Sequence, residues 1–136
     1  MSVRSDKRSE SSVEFINTAH ELEVLTIKLT MRENAIPKRY RYILGQPLCE
    51  ATRRLNAYII YANSIYPKSK EEYQRRRSFQ ESAWMELKNI FELMRITTEL
   101  LPMKNTVATE WVNMAYREER VLKKWMESDK QRFKEL

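Results

Sequence analysis

Residues 44–67, LGQPLCEATRRLNAYIIYANSIYP, place Leu44, Leu48, Ala51, Leu55, Tyr58, Ala62 and Ile65 at alternating steps of four and three. That spacing is the heptad seam of a helix packed against other helices. Pro47 interrupts the seam near its start, which leaves two readings. Either one helix kinks at Pro47, or a short turn over residues 38–44 ends at Gly45 and the main helix restarts. In the second case Pro47 lies in a first turn, where its missing N–H costs little. Tyr66-Pro67 ends the element.

Upstream lies Ile36-Pro37-Lys38-Arg39-Tyr40-Arg41-Tyr42-Ile43-Leu44-Gly45, a joint with three cations, two tyrosines and the only glycine of the chain. Pro37 reads as a helix start. Helix 1 is expected from Ser12 or Val13 to Asn34, with Ser12 as its N-cap. Phe15, Ala19, Leu22, Leu25 and Leu29 form its apolar stripe. Downstream of residues 67–70, Ser69 is a candidate N-cap followed by Glu71 and Glu72. Helix 3 then carries a seam of Phe79, Ala83, Leu87, Ile90, Met94, Thr97 and Leu101 before Pro102 stops it. Asn105 or Thr106 is placed to cap helix 4, which reads through Val107, Trp111, Met114, Val121, Leu122 and Trp125.

Four amphipathic helices with three short joints predict an all-α, up-down-up-down four-helix bundle over residues 13–136. Residues 1–12, Ser-rich and charged without periodicity, read as a disordered N-terminal tail. One Gly and four Pro among 136 residues are too few turn formers for a β-sandwich. Ile16, Val24, Ile27, Trp84, Phe91, Ala108, Val112 and Met126 lie outside a single stripe. Such wide apolar coverage suggests a second buried surface and hence a homo-oligomer; a thick core with half-exposed aromatics is the plainer alternative.

Cys49 is the only cysteine, so neither an internal disulfide nor a cysteine metal site is available. The N-terminus lacks the apolar core of a signal peptide, and no run approaches the roughly 18 apolar residues of a membrane span. A cytoplasmic protein is the expectation.

Catalytic chemistry finds little to build on. His20 is the only histidine, and it is expected as an interior or interface residue of helix 1. A di-iron bundle site needs two Glu-x-x-His pairs, whereas here Glu23 follows the single His20 in the reverse order. Glu71-Glu72 and Glu118-Glu119 are adjacent pairs pointing to different sides of a helix, and they read as capping and surface charge. One glycine cannot make a phosphate-binding loop. The reading is of a non-enzyme with no metal and no cofactor.

Charge is the remaining signal. The net charge is +6 and the isoelectric point about 9.5. Residues 13–35 hold two cations against four glutamates, while residues 36–66 hold five cations against Glu50 alone. Lys38, Arg39 and Arg41 sit at the first joint, Arg53 and Arg54 on helix 2, and Arg75, Arg76 and Arg77 on early helix 3. Arg117, Arg120, Lys123 and Lys124 lie on helix 4. In an antiparallel bundle early helix 3 and late helix 4 share a pole, so the arginine triplet and the Arg120/Lys123/Lys124 group can form one patch. Guanidinium forks suit phosphate. The alternative for three consecutive arginines is that they solvate the helix surface.

The chain resembles a four-helix-bundle family. It includes the accessory variability proteins of diversity-generating retroelements and the proteins encoded in 23S ribosomal RNA intervening sequences. The resemblance rests on Pro37-Lys38, Arg41-Tyr42-x-Leu44-Gly45, Leu48, Ala51, Ile59/Ile60 and Ala62-Asn63. On the later helices it rests on Ala83, Leu87, Leu93-Met94-Arg95 and Val121-Leu122-x-x-Trp125, so that it covers about residues 13–126. Ile36 stands where the family usually has an aromatic residue. The resemblance implies a small basic cytoplasmic protein that assembles as a barrel-shaped pentamer and binds nucleic acid. It also implies association with the retroelement reverse transcriptase in mutagenic retrohoming. Lys38, Arg39 and Arg41 match the family's basic positions.

Two functions follow as expectations. The first is a non-enzymatic accessory protein that binds DNA, RNA or their hybrid through Lys38, Arg39, Arg41, Arg53, Arg54, Arg75–Arg77, Arg120, Lys123 and Lys124. The second is a structural protein–protein interaction module whose charge only confers solubility.

Overall fold

The computed structural model describes residues 13–136; the expected tail at 1–12 and the Ser12 cap lie outside them. Four helices and no strands occur among the described residues: α1 (Glu14–Thr30), α2 (Gln46–Asn63), α3 (Lys70–Leu100) and α4 (Asn105–Arg132). Each packs on two others in a closed ring, α1 on α2 and α4, and α3 on α2 and α4.

Paired contacts fix the directions. Phe15 stacks on Trp125 and Thr26 receives the Trp111 indole N–H, so α1 and α4 are antiparallel. Tyr61 meets Phe79 while Arg54 meets Glu86, so α2 and α3 are antiparallel. Arg76 with Asp129 and Lys88 with Glu119 give the same relation for α3 and α4. Asn56 against Ala19, with Gly45 against Thr30, completes the up-down-up-down bundle.

The seams are buried largely as their spacing predicts. Leu48, Ala51, Leu55 and Ala62 of α2, and Ala83, Leu87, Ile90, Met94 and Thr97 of α3, are inaccessible or nearly so, and Leu101 just beyond α3 is also buried. Two positions shift. Ile59 takes the core place expected of Tyr58, as a straight helix of 3.6 residues per turn drifts from a 3.5 repeat. Gln80 takes that of Phe79, because steps of four and three back from Ala83 fall on Gln80 and Arg76. Ile16, Trp84, Phe91, Ala108 and Val112 sit half-buried against the core, and Met126 is inside it. The thick-core alternative therefore accounts for most of the surplus apolar residues.

The first connection is not short. α1 ends at Thr30 rather than Asn34, and residues 31–45 fold back over the end of the bundle with Ala35 and Ile36 buried. Arg41 causes the early stop: its Nε donates to the Thr30 carbonyl at 2.7 Å and its Nη2 to the Met31 carbonyl at 3.4 Å. A helix ends with unpaired carbonyls, and a guanidinium beside them satisfies both hydrogen bonding and the axial dipole.

Lys38–Tyr40 form a 3₁₀ turn and Arg41–Gly45 a π turn, after which α2 begins with Pro47 in its first turn. This is the restarted helix rather than the kinked one. Gly45 has ordinary helical backbone angles (φ −64°, ψ −49°), so it serves no turn. A Cβ there would lie 3.2 Å from Thr30 Cγ2, and its absence lets the π turn press against α1.

Ser69 caps α3 as expected. Its hydroxyl accepts from the Glu72 N–H at 3.2 Å, while Glu72 accepts from the Lys68 N–H. α4 differs, with Lys104 at the cap position, Asn105 inside the first turn and no side-chain cap.

Candidate nucleic-acid interface

The eleven cations expected to meet nucleic acid fall into two groups in the structure. Four are spent on the fold. Arg41 caps α1, as above. Arg54 makes a two-point contact with Glu86 (2.8 and 3.3 Å), and that hydrogen bond raises its guanidinium pKa further. Arg77 donates to the Met126 carbonyl at 2.9 Å.

Arg76 departs furthest from expectation, being only 5% exposed. Its Nε and Nη2 donate to the fully buried Asp129 at 2.6 and 3.1 Å, and Nη1 donates to the carbonyls of Ile65 and Ala62. Gln80 Nε2 adds a 2.7 Å bond to the same carboxylate. The guanidinium also lies over the rings of Trp125 and Phe133. Arg76 is therefore a core ion pair joining α2, α3 and α4, and it is withdrawn from the surface.

The other cations remain outside. Lys38 and Arg39 project from the 3₁₀ turn, with Arg39 lying over Tyr40 at 5.0 Å. The π turn that follows holds Tyr42 and Ile43 exposed beside them. Arg53 reaches Glu23 at 3.5 Å while staying two-thirds exposed, a surface pair of small energetic weight. Arg75, Arg120, Lys123 and Lys124 are exposed. None of these four has an ion-pair partner among the described residues.

The two groups expected to form one patch do share a half of the bundle. Arg77 reaches α4 at Met126, one turn from Lys123. Only Arg75 of the triplet is exposed, however, with Arg77 partly so, and Lys38–Arg39 lie toward the opposite pole, where α1 ends and α2 begins. The exposed cations are thus spread along the bundle, with Arg53 beside Glu23 and Arg120 next to the Lys88–Glu119 pair near its middle.

Two side chains depart from the interior or surface places expected of them. His20 is exposed, so of its two expected places the interior one does not hold. Glu118 is not a surface charge: it is fully inaccessible, and neither carboxylate oxygen has a hydrogen-bond partner. Burial, with a smaller contribution from the nearby Glu14 carboxylate, pushes its pKa up to about 9, so at neutral pH it is a protonated acid. Glu119 pairs with Lys88 instead. Asp129, Gln80 and Glu118 are polar residues at core positions, which an apolar stripe does not reveal. Yet Trp111, Ala115, Glu118, Leu122, Trp125 and Asp129 follow the same steps of four and three.

Among the described residues no group of three or more His, Cys, Asp or Glu is placed to hold a metal ion. No helix of the described residues is long and apolar enough to cross a membrane. The fold and site together define an all-α four-helix bundle with exposed cations along its length. No protein-family model, curated protein or solved structure matches the chain.

Proposed function

We propose that this protein is a non-enzymatic, basic accessory protein that binds nucleic acid by phosphate contact. The observation that carries the reading is the exposure of Lys38, Arg39, Arg75, Arg120, Lys123 and Lys124. Of these six, only Arg39 makes a contact, over Tyr40, with its guanidinium. Unpaired exposed cations exchange counterions for phosphates at little cost, whereas Arg76 would have to leave a buried carboxylate to do so. No element is built to read base edges, so binding is insensitive to sequence. The family resemblance supports a homo-oligomer, specifically a barrel-like pentamer, in the cytoplasm with a reverse transcriptase as partner. Exposed Ile60, Tyr61 and Met85 on α2 and α3 are apolar surface of the kind a subunit contact would cover.

Fluorescence anisotropy of labelled duplex DNA, RNA and hybrid at rising salt tests the proposal. Affinity falls steeply with salt, and the double variant K38E/R39E flattens that slope while leaving the melting temperature unchanged. Absence of binding even at low salt refutes it. That outcome favours the protein–protein module, which the same exposed apolar residues and the internal use of Arg41, Arg54, Arg76 and Arg77 also suit.

A further inference from the structure

At the pole where α1 begins, a cavity of about 460 Å³ opens, with all four helices contributing to its wall. That size lies within the range of small-molecule sites. Phe15 and Trp125, stacked on each other at 3.9 Å, line it together with Tyr66. Arg76, Lys124 and Arg132 line it too, with Arg76 over the Trp125 ring and Arg132 over that of Tyr66.

The charge there is positive and partly uncommitted. Lys124 and Arg132 have no ion-pair partner among the described residues, and Arg132 is held over the Tyr66 and Phe133 rings at 5.7 and 5.3 Å. Arg76 has five N–H donors, of which Asp129 and the carbonyls of Ala62 and Ile65 accept four. One Nη2 donor is left over on a buried side chain that lines the cavity. Glu14, the acidic residue in the lining, is engaged by Arg117 at 3.3 Å. Asn63 and Ser128 add polar groups without side-chain partners among the described residues.

We infer that this cavity binds a nucleotide, its phosphate between Lys124 and Arg132 and its ring against Tyr66, the exposed aromatic of the lining. Paired cations with a spare guanidinium donor select a phosphate, and an aromatic wall beside them selects a planar ring. Because the cavity lies at one pole of the bundle with residues of all four helices around it, a strand end fits it better than a strand running on across it. The terminal nucleotide of a bound nucleic acid is its occupant, an assignment that rests on the nucleic-acid reading above.

Titration calorimetry of the full-length chain with adenosine 5′-monophosphate, adenosine and inorganic phosphate tests the chemistry. Anisotropy of a short single-stranded RNA with and without a 5′-phosphate tests the source. The monophosphate binds about tenfold or more tightly than adenosine or phosphate alone, and the phosphorylated strand is preferred. Both differences vanish in K124A/R132A, whereas the charge-matched K28A/R32A, at exposed cations of no assigned role, keeps them. Monophosphate binding without preference for the phosphorylated end supports the nucleotide site and assigns it a free nucleotide. Intact strand binding with neither monophosphate binding nor end preference overturns this inference alone. If no strand binds but the monophosphate does, it is the nucleic-acid function that fails.

Discussion

Glu118 occupies a position in α4 where the spacing calls for an apolar residue, with both oxygens buried and unpartnered. Its acid form avoids the cost of a buried charge, but it still leaves a polar group without hydrogen bonds. Between pH 4.5 and about 9 the folded chain keeps this proton while the unfolded chain has released it. Stability therefore falls as pH rises through that window and levels off above it. Urea unfolding from pH 5 to 9 will show this decline in the parent chain and its loss in Glu118→Gln. Glu118→Leu, of similar volume, gains about 1–3 kcal/mol at pH 8. An E118L chain no more stable than its parent would mean that the carboxyl has an unrecognised partner.

At the level of elements, Arg76, Gln80 and Asp129 tie α3 and α4 to the carbonyls at the end of α2. Removing either ionic partner strands the other in the core. Arg76→Ala or Asp129→Ala alone should cost about 3–5 kcal/mol. The joint replacement R76M/D129L should cost less than either, since no buried charge is then left unpaired. Equal or additive losses in a thermal-unfolding cycle would show instead that the ion pair itself supplies the stability.

This cluster also marks how far the sequence could be read. The heptad steps of α2 and α3, the Ser69 cap and the stop before Pro102 were legible because each depends on residues close in sequence. Arg76 was read as one of three surface arginines because its partner is 53 residues away, and burial of a charge shows only once both helices are placed. The stop of α1 at Thr30 was hidden for the same reason, since its cap is a side chain 11 residues further on.

Across the whole molecule, the +6 net charge was legible but its availability was not. Composition counts cations, and only the fold shows that Arg41, Arg54, Arg76 and Arg77 are occupied within the chain.

The closed ring of helices carries a consequence for time as well as for space. The α1–α2, α2–α3 and α3–α4 contacts join residues 14 to 53 positions apart, whereas the α1–α4 contacts span 85 to 110. Contacts between distant residues form late, because chain closure must precede any gain from them. The α1–α4 seam should therefore close last, with Phe15 settling on Trp125 as the ring shuts. Stopped-flow measurements should then find that Phe15→Ala speeds unfolding and leaves the folding rate nearly untouched, whereas Leu87→Ala slows folding. A slowed folding limb for Phe15→Ala would place α1 in the nucleus instead. A seam that closes last is also the first to part. The wall it gives to the cavity then opens and closes far more often than the chain unfolds.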